Sequence, residues 1–154
     1  MKRILGLAAL SGLFVLAQSS KDTWILPDGQ INSTFASIRA ADPEKPSVSK
    51  TVGTFDGHSL TLIQRNANGV VEVHLHKHDM LFIREGSAIL ISGGEVVNGK
   101  DTGDGEIRGD SIRNGTKRTI HTGDIIQIPA TIPHQILLNP GETVAYAAVK
   151  VDAK

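Results

Sequence analysis

At 154 residues and 40% hydrophobic content, the chain can bury one substantial core but not two. Its 16 basic and 16 acidic residues cancel, which excludes the positive field that recruits nucleic acid or anionic lipid. Cysteine is absent, so no disulfide framework or cysteine-linked lipid is possible and the fold must hold by its core.

Lys2 and Arg3 precede an apolar run from Ile4 to Ala17, and polar Gln18 to Asp22 follows. That order is the pattern of a secretory signal peptide, with cleavage expected after Ala17 or Ser19. The apolar run falls short of the roughly 20 residues that span a bilayer. Residues 1–19 are therefore expected to be removed, leaving a secreted or periplasmic protein with no membrane attachment. Loss of Lys2 and Arg3 gives the mature chain a formal charge of −2.

Residues 20–50 read as an N-terminal arm, with Trp24-Ile25-Leu26 ahead of a Pro27-Asp28-Gly29 turn and two prolines, Pro43 and Pro46, farther on. Strand alternation dominates residues 51–154. His58 to Gln64 and Val70 to His76 are predicted strands joined by an Asn- and Gly-containing hairpin loop. Met80 to Glu85 and Ser87 to Ser92 follow, broken by Gly93-Gly94. From Asn98 to Thr119 the chain is glycine-rich and charged, too long for an ordinary connection, and is expected to carry short strands or lid a pocket. Ile125 to Pro129, Gln135 to Leu138 and Thr143 to Val151 complete an all-β pattern of many short strands, as in a sandwich or barrel.

His74 and His76 stand two apart in a predicted strand, so their side chains share a face. His134 lies behind Pro129 and Pro133 on another predicted strand. Three imidazoles converging inside one barrel would hold a divalent transition metal, with Fe, Mn, Ni, Cu and Zn all compatible. Inward-facing His74 and His76 would turn Val71, Val73 and Leu75 outward, where either the segment around Trp24 and Phe35 or a second copy of the chain must cover them. A homodimer is one expectation from that parity. Lys77-His78-Asp79 is expected to be the hairpin turn, with His78 solvated there or at the pocket mouth. His58 and His121 have no partner in the pattern and read as surface residues.

These residues resemble the cupins. The first cupin motif is a glycine, a His-x-His pair, three or four residues, a glutamate, six residues and a glycine. His74-Leu75-His76 and Gly86 stand in that arrangement, with Asp79 at the glutamate position counted back from Gly86. The second motif is matched by Gly123, Pro129 and His134, while Thr131 replaces its second glycine and Asn139 falls one residue late. The resemblance covers roughly residues 58 to 150 and implies a double-stranded β-helix, or jelly-roll barrel. It further implies a metal held by His74, His76 and His134, with Asp79 as fourth ligand directly or through water.

Asp79 follows His76 by fewer residues than the family pattern allows. A register with Glu72 and His74 in the places of the pair would restore that gap, but Gly69 fits neither register, and His74 with His76 is the preferred pair. Leu81, Ile83, Ile136 and Leu138 follow the ligands' parity as an apolar wall suited to a small organic ligand, and Arg84 and Gln127 are the polar candidates nearby. Two functions fit: an exported metal-dependent oxygenase, lyase or isomerase, or a non-catalytic module that binds a metal or small ligand. A serine hydrolase is disfavoured because no Gly-x-Ser-x-Gly elbow occurs.

Overall fold

The computed structural model describes residues 23–154. The expected signal segment lies outside the described residues. Among the described residues no helix is long and apolar enough to cross a membrane.

Among the described residues there are one helix, α1 (Asp28–Ala41), and, after it, twelve strands. These are β1 (Ser47–Phe55), β2 (His58–Arg65), β3 (Val71–His74), β4 (Lys77–Ser92), β5 (Glu95–Val97) and β6 (Lys100–Asp101). They continue with β7 (Glu106–Gly109), β8 (Ser111–Arg113), β9 (Thr116–His121), β10 (Ile125–Ile128), β11 (His134–Leu137) and β12 (Val144–Asp152). All pairings are antiparallel.

The long strand β4 organises the molecule. Its first half pairs with β12 and β10, and its second half with β9 and β11. The two strands predicted on either side of Gly86 are thus one strand that changes sheets at a bend. Gly86 makes the bend possible: its φ is +78°, and a Cβ there would lie 2.0 Å from the Thr143 carbonyl oxygen. One sheet runs β1, β2, β12, β4 and β10; the other runs β9, β4, β11, β3, β7 and β6. Between them lies a core that includes Leu81, Ile83, Leu90, Ile128, Ile136 and Tyr146.

Strand β12 is buried on both faces. Val144, Tyr146 and Ala148 belong to the core between the sheets, while Ala145 and Ala147 face outward under α1, whose Phe35 packs with them and Leu62. Alanine on the outer face leaves room for the helix. The arm expected over residues 20–50 is therefore largely structured, as α1 and the start of β1. Ile31, Phe35 and Ile38 carry the helical spacing, a signal masked by the polar residues between them. Arg39 fastens the end of the helix, donating to the carbonyls of Lys45 (2.9 Å) and Gln64 (3.0 Å).

Val71 and Val73 face away from the pocket and are buried within the single chain, and the segment around Trp24 and Phe35 packs elsewhere. Gly109 and Ile107 of β7 pair with them, and Val96 of the small β5–β8 sheet packs against Gly109. Trp24 packs instead edge-on against Phe55, with ring centroids 5.4 Å apart, and Phe35 sits under α1. The stretch from Asn98 to Thr119 thus supplies cover and short strands, and no second subunit is required to bury this face.

Candidate metal centre

Strand β3 ends at His74, and Leu75 and His76 form a bend before β4 starts at Lys77. The bend cancels the alternation that would have put His76 beside His74. His76 is exposed, with its ring against Gly105, and is not brought to the cluster. Two residues back on the same face stands Glu72, and the pair that faces inward is Glu72 and His74. The hairpin turn expected at Lys77 to Asp79 falls two residues earlier, so Asp79 already lies inside β4 and is buried. His78 is half-buried and accepts the Ala130 N–H at Nδ1 (3.0 Å), a structural bond away from the cluster.

His74, Asp79 and His134 converge, and Glu72 completes the group. His74 Nε2 lies 3.7 Å from Glu72 Oε2 and 3.2 Å from Asp79 Oδ2; His134 Nε2 lies 3.7 Å and 3.6 Å from the same two oxygens. Glu72, His74 and His134 present ligand atoms within 4.8 Å of one another. Donors about 2.1 Å from a shared ion in tetrahedral arrangement stand about 3.4 Å apart. The spacing and the nitrogen and oxygen donor chemistry both fit a metal ion.

Outer contacts orient the two rings. The Glu106 carboxylate accepts from His74 Nδ1 at 2.7 Å, and the Ile132 carbonyl accepts from His134 Nδ1 at 3.1 Å. Each bond leaves an Nε2 lone pair aimed into the cluster, the arrangement that metal-ligating histidines require. The loop that carries His134 is held by the Thr131 N–H, which donates to the His74 carbonyl at 2.8 Å.

The cluster floors an open cavity of about 280 Å³ whose wall includes Arg65, Leu81, Glu106, Arg108, Ile136, Tyr146 and Lys150. The wall is less apolar than parity suggested. Arg108 bridges Glu72 and Glu106, each at 3.0 Å, while Arg65 Nε donates to the Tyr146 hydroxyl at 3.0 Å. Lys150 reaches in from β12, with Nζ 2.7 Å from His74 Nε2 and 3.0 Å from Asp79 Oδ1. Gln127 and Arg84 are exposed; Arg84 pairs with Asp28 instead. His58 and His121 are exposed as well.

Electrostatics follow from this crowding. Burial alone would raise the Glu72 pKa, but the His134 ring and the guanidinium groups of Arg108 and Arg65 outweigh it and hold the carboxyl at about 2. Asp79 shifts the same way: burial opposes, and His74 and Lys150 prevail. His74 is lowered by burial and by Lys150 but raised by Asp79 and Glu106, with the net direction upward. The Lys150 ammonium, 2.7 Å from Nε2, works against that upward pull. Burial raises the Tyr146 pKa, which keeps the phenol protonated beside Arg65.

No protein-family model matches the chain, and no curated protein matches it. Solved structures do. A Klebsiella pneumoniae protein with a double-stranded β-helix domain matches at a TM-score of 0.52 and 14% identity, covering 70% of this chain and 78% of that one. The cupin domain of Cnp3 from Schizosaccharomyces pombe matches at 0.53 and 10% identity, covering 71% and 67%.

The chain has the cupin fold. KdgF from a Halomonas species is also similar, at a TM-score of 0.50 and 15% identity over 73% of this chain and 86% of that one. On this fold Glu72, His74 and Asp79 fall on the register in which Glu72 and His74 take the places of the His-x-His pair. Four residues then lie between His74 and Asp79 and six between Asp79 and Gly86, the spacing of the first cupin motif. Glu72, Arg65, Glu106, Arg108 and Lys150 were not selected from the sequence as site residues. For Lys150 a signal existed, because it shares strand parity with Tyr146 and Ala148, two residues that β12 turns into the core.

Proposed function

We propose that this cupin is a mononuclear-metal enzyme acting on a small organic molecule that bears an anionic oxygen group. The observation that carries this reading is the convergence of His74 Nε2, His134 Nε2 and the Glu72 and Asp79 carboxylates, at 3.2 to 3.7 Å, on the floor of an open cavity. Glu72, His74 and His134 would hold the ion, with Asp79 as a further oxygen donor. Two imidazoles and a carboxylate with open positions suit Fe(II) first and Mn(II) or Zn(II) next. Such an ion, when bound, polarises an oxygen of the substrate or, if iron, supports dioxygen chemistry.

The residues of the chain supply the rest. Glu106 and the Ile132 carbonyl keep both rings in the ligating tautomer. The cavity wall holds three carboxylates, Glu72, Asp79 and Glu106, against three cations, Arg65, Arg108 and Lys150. A divalent ion added to that balanced set leaves an excess of positive charge, which favours an anionic ligand. Arg65 and Arg108 present planar guanidinium groups suited to a carboxylate. Leu81, Ile136 and Val70 would take the carbon part of such a molecule.

A second reading, a non-catalytic module for a metal or small ligand, is favoured by Lys150, whose ammonium already bonds two of the cluster residues. One set of experiments separates the two. Purified protein is loaded with Fe(II), Mn(II) or Zn(II), its metal content measured, and dioxygen uptake and isomerisation followed over a panel of small carboxylic and keto acids. One ion per chain, lost in Glu72→Gln and His134→Ala together with turnover, supports the enzyme. Stoichiometric metal without turnover favours the module, and no stoichiometric metal overturns both. We further propose export to the periplasm or medium, supported by Lys2, Arg3 and the apolar run to Ala17; a mature protein that still begins at Met1 would contradict it.

A further inference from the structure

We propose that Lys150 is a tethered cation that stands in for the metal in the metal-free protein and must swing aside before an ion can be held, so that this one side chain sets the metal affinity of the centre. The inference rests on the metal-site reading above. Lys150 lies directly opposite Asp79 in the β12–β4 ladder. From there its ammonium reaches His74 Nε2 at 2.7 Å and both Asp79 oxygens at 3.0 and 3.3 Å.

Those contacts exclude a metal on the same atoms. Glu106 fixes the proton of His74 on Nδ1, so Nε2 has a single lone pair, and that lone pair accepts from Lys150. An ion on the same lone pair would sit about 2.1 Å from Nε2, inside the space of an ammonium bonded to it. Two cations cannot share that position. The lysine stem is flexible and its side chain is 28% exposed, so the cavity offers it a way out along the wall.

The same contacts would compensate the buried charge of the cluster when no ion is bound. Asp79 is buried, and a buried carboxylate without a counter-charge is strongly destabilising. Lys150 provides that charge from within the chain. Metal binding must therefore displace Lys150 from His74 and Asp79 before it gains its own bonds, and the displaced ammonium joins Arg65 and Arg108 on the cavity wall as an additional anion contact.

Zinc and manganese affinities of the full mature chain, with Lys150→Met and Lys150→Gln, are measured by titration calorimetry against a competing chelator. The metal-free variants are expected to melt at lower temperature than the wild type, and to bind one ion at least 10-fold more tightly. In the wild type, an ammonium signal of Lys150 protected in the metal-free state and released on saturation with Zn(II) reports the swing without any substitution. Affinities equal to or weaker than wild type, or an unmoved Lys150 signal in the zinc-saturated protein, overturn the role of Lys150 while leaving the metal site standing. If neither wild type nor variants bind an ion, the metal reading itself falls and this inference falls with it.

Discussion

Glu106, on a strand of the glycine-rich stretch after β4, holds the ring of His74, on β3, by accepting from its Nδ1 at 2.7 Å. The bond ties the glycine-rich stretch to the centre: without β7, the ring would be free to flip and to change tautomer. Arg108, from the same strand, braces Glu106 and Glu72 together. The stretch therefore belongs to the site, as a wall rather than a lid.

Glu106→Ala is expected to weaken metal binding by about 10- to 100-fold, the usual cost of losing the partner that orients a ligating histidine. Titration of Zn(II) into wild type and variant measures it. Glu106→Gln keeps an acceptor oxygen and should recover part of the loss. Equal affinities for all three proteins would mean that Glu106 does not orient the ring.

His134→Ala and His76→Ala should part company. The first removes an Nε2 that faces Glu72 and Asp79 at 3.7 and 3.6 Å, and is expected to abolish stoichiometric metal. His76 is exposed beyond the bend, so its replacement should leave both stoichiometry and affinity within about twofold of wild type, close to the ±0.5 kcal/mol typical of surface changes. Loss of metal in His76→Ala would restore the three-histidine arrangement.

Much of the fold and part of the site were legible in the sequence, and the boundary between the two has a physical cause. Strand alternation indicated a β-rich fold, the resemblance carried by Gly86, Gly123, Pro129 and His134 implied the jelly roll, and the structure brings His134 and Asp79 close together. Alternation carries information only while the strand lasts. It was extended through Leu75 and His76, where the chain bends, and so put His76 where Glu72 belongs; the count back from Gly86 through Asp79 to His74 was the more reliable ruler. Arg65, Arg108 and Lys150 come from three different strands, and no local pattern relates them. Helix α1 was missed because only Ile31, Phe35 and Ile38 mark its buried face, and they become informative once Leu62 and Ala147 are known to lie beneath them.

Acid should weaken the metal-free protein through Glu72. Its pKa is about 2 in the folded chain against an ordinary 4.5, so the unfolded chain takes up the proton first as pH falls. The stabilisation is complete above about pH 4.5 and disappears as pH drops towards 2. One pKa unit corresponds to about 1.4 kcal/mol; with partial solvent screening of a side chain that is 24% exposed, the contribution is on the order of 1 to 3 kcal/mol. Urea unfolding of wild type and Glu72→Gln in chelator, at pH 6 and pH 3, tests this. The stability gap between them should shrink at the lower pH, and a constant gap would refute the assignment.

Thr131 offers a prediction about strain beside the centre. It has a φ of +70°, a left-handed conformation that β-branched residues avoid, at the position where the cupin pattern has glycine. The turn is needed there because the Thr131 N–H bonds the His74 carbonyl and the chain must then present His134. Holding a residue in this region costs about 1 to 3 kcal/mol, and glycine would relieve it while adding about 0.5 to 1 kcal/mol of unfolded-state entropy. Thr131→Gly is therefore expected to stabilise the protein by about 1 kcal/mol, and Thr131→Val, which keeps the branched Cβ and loses the hydroxyl, should gain nothing. Thermal unfolding of the three proteins decides it: a Gly variant that melts below wild type would show that the Thr131 side chain contributes more than its backbone costs.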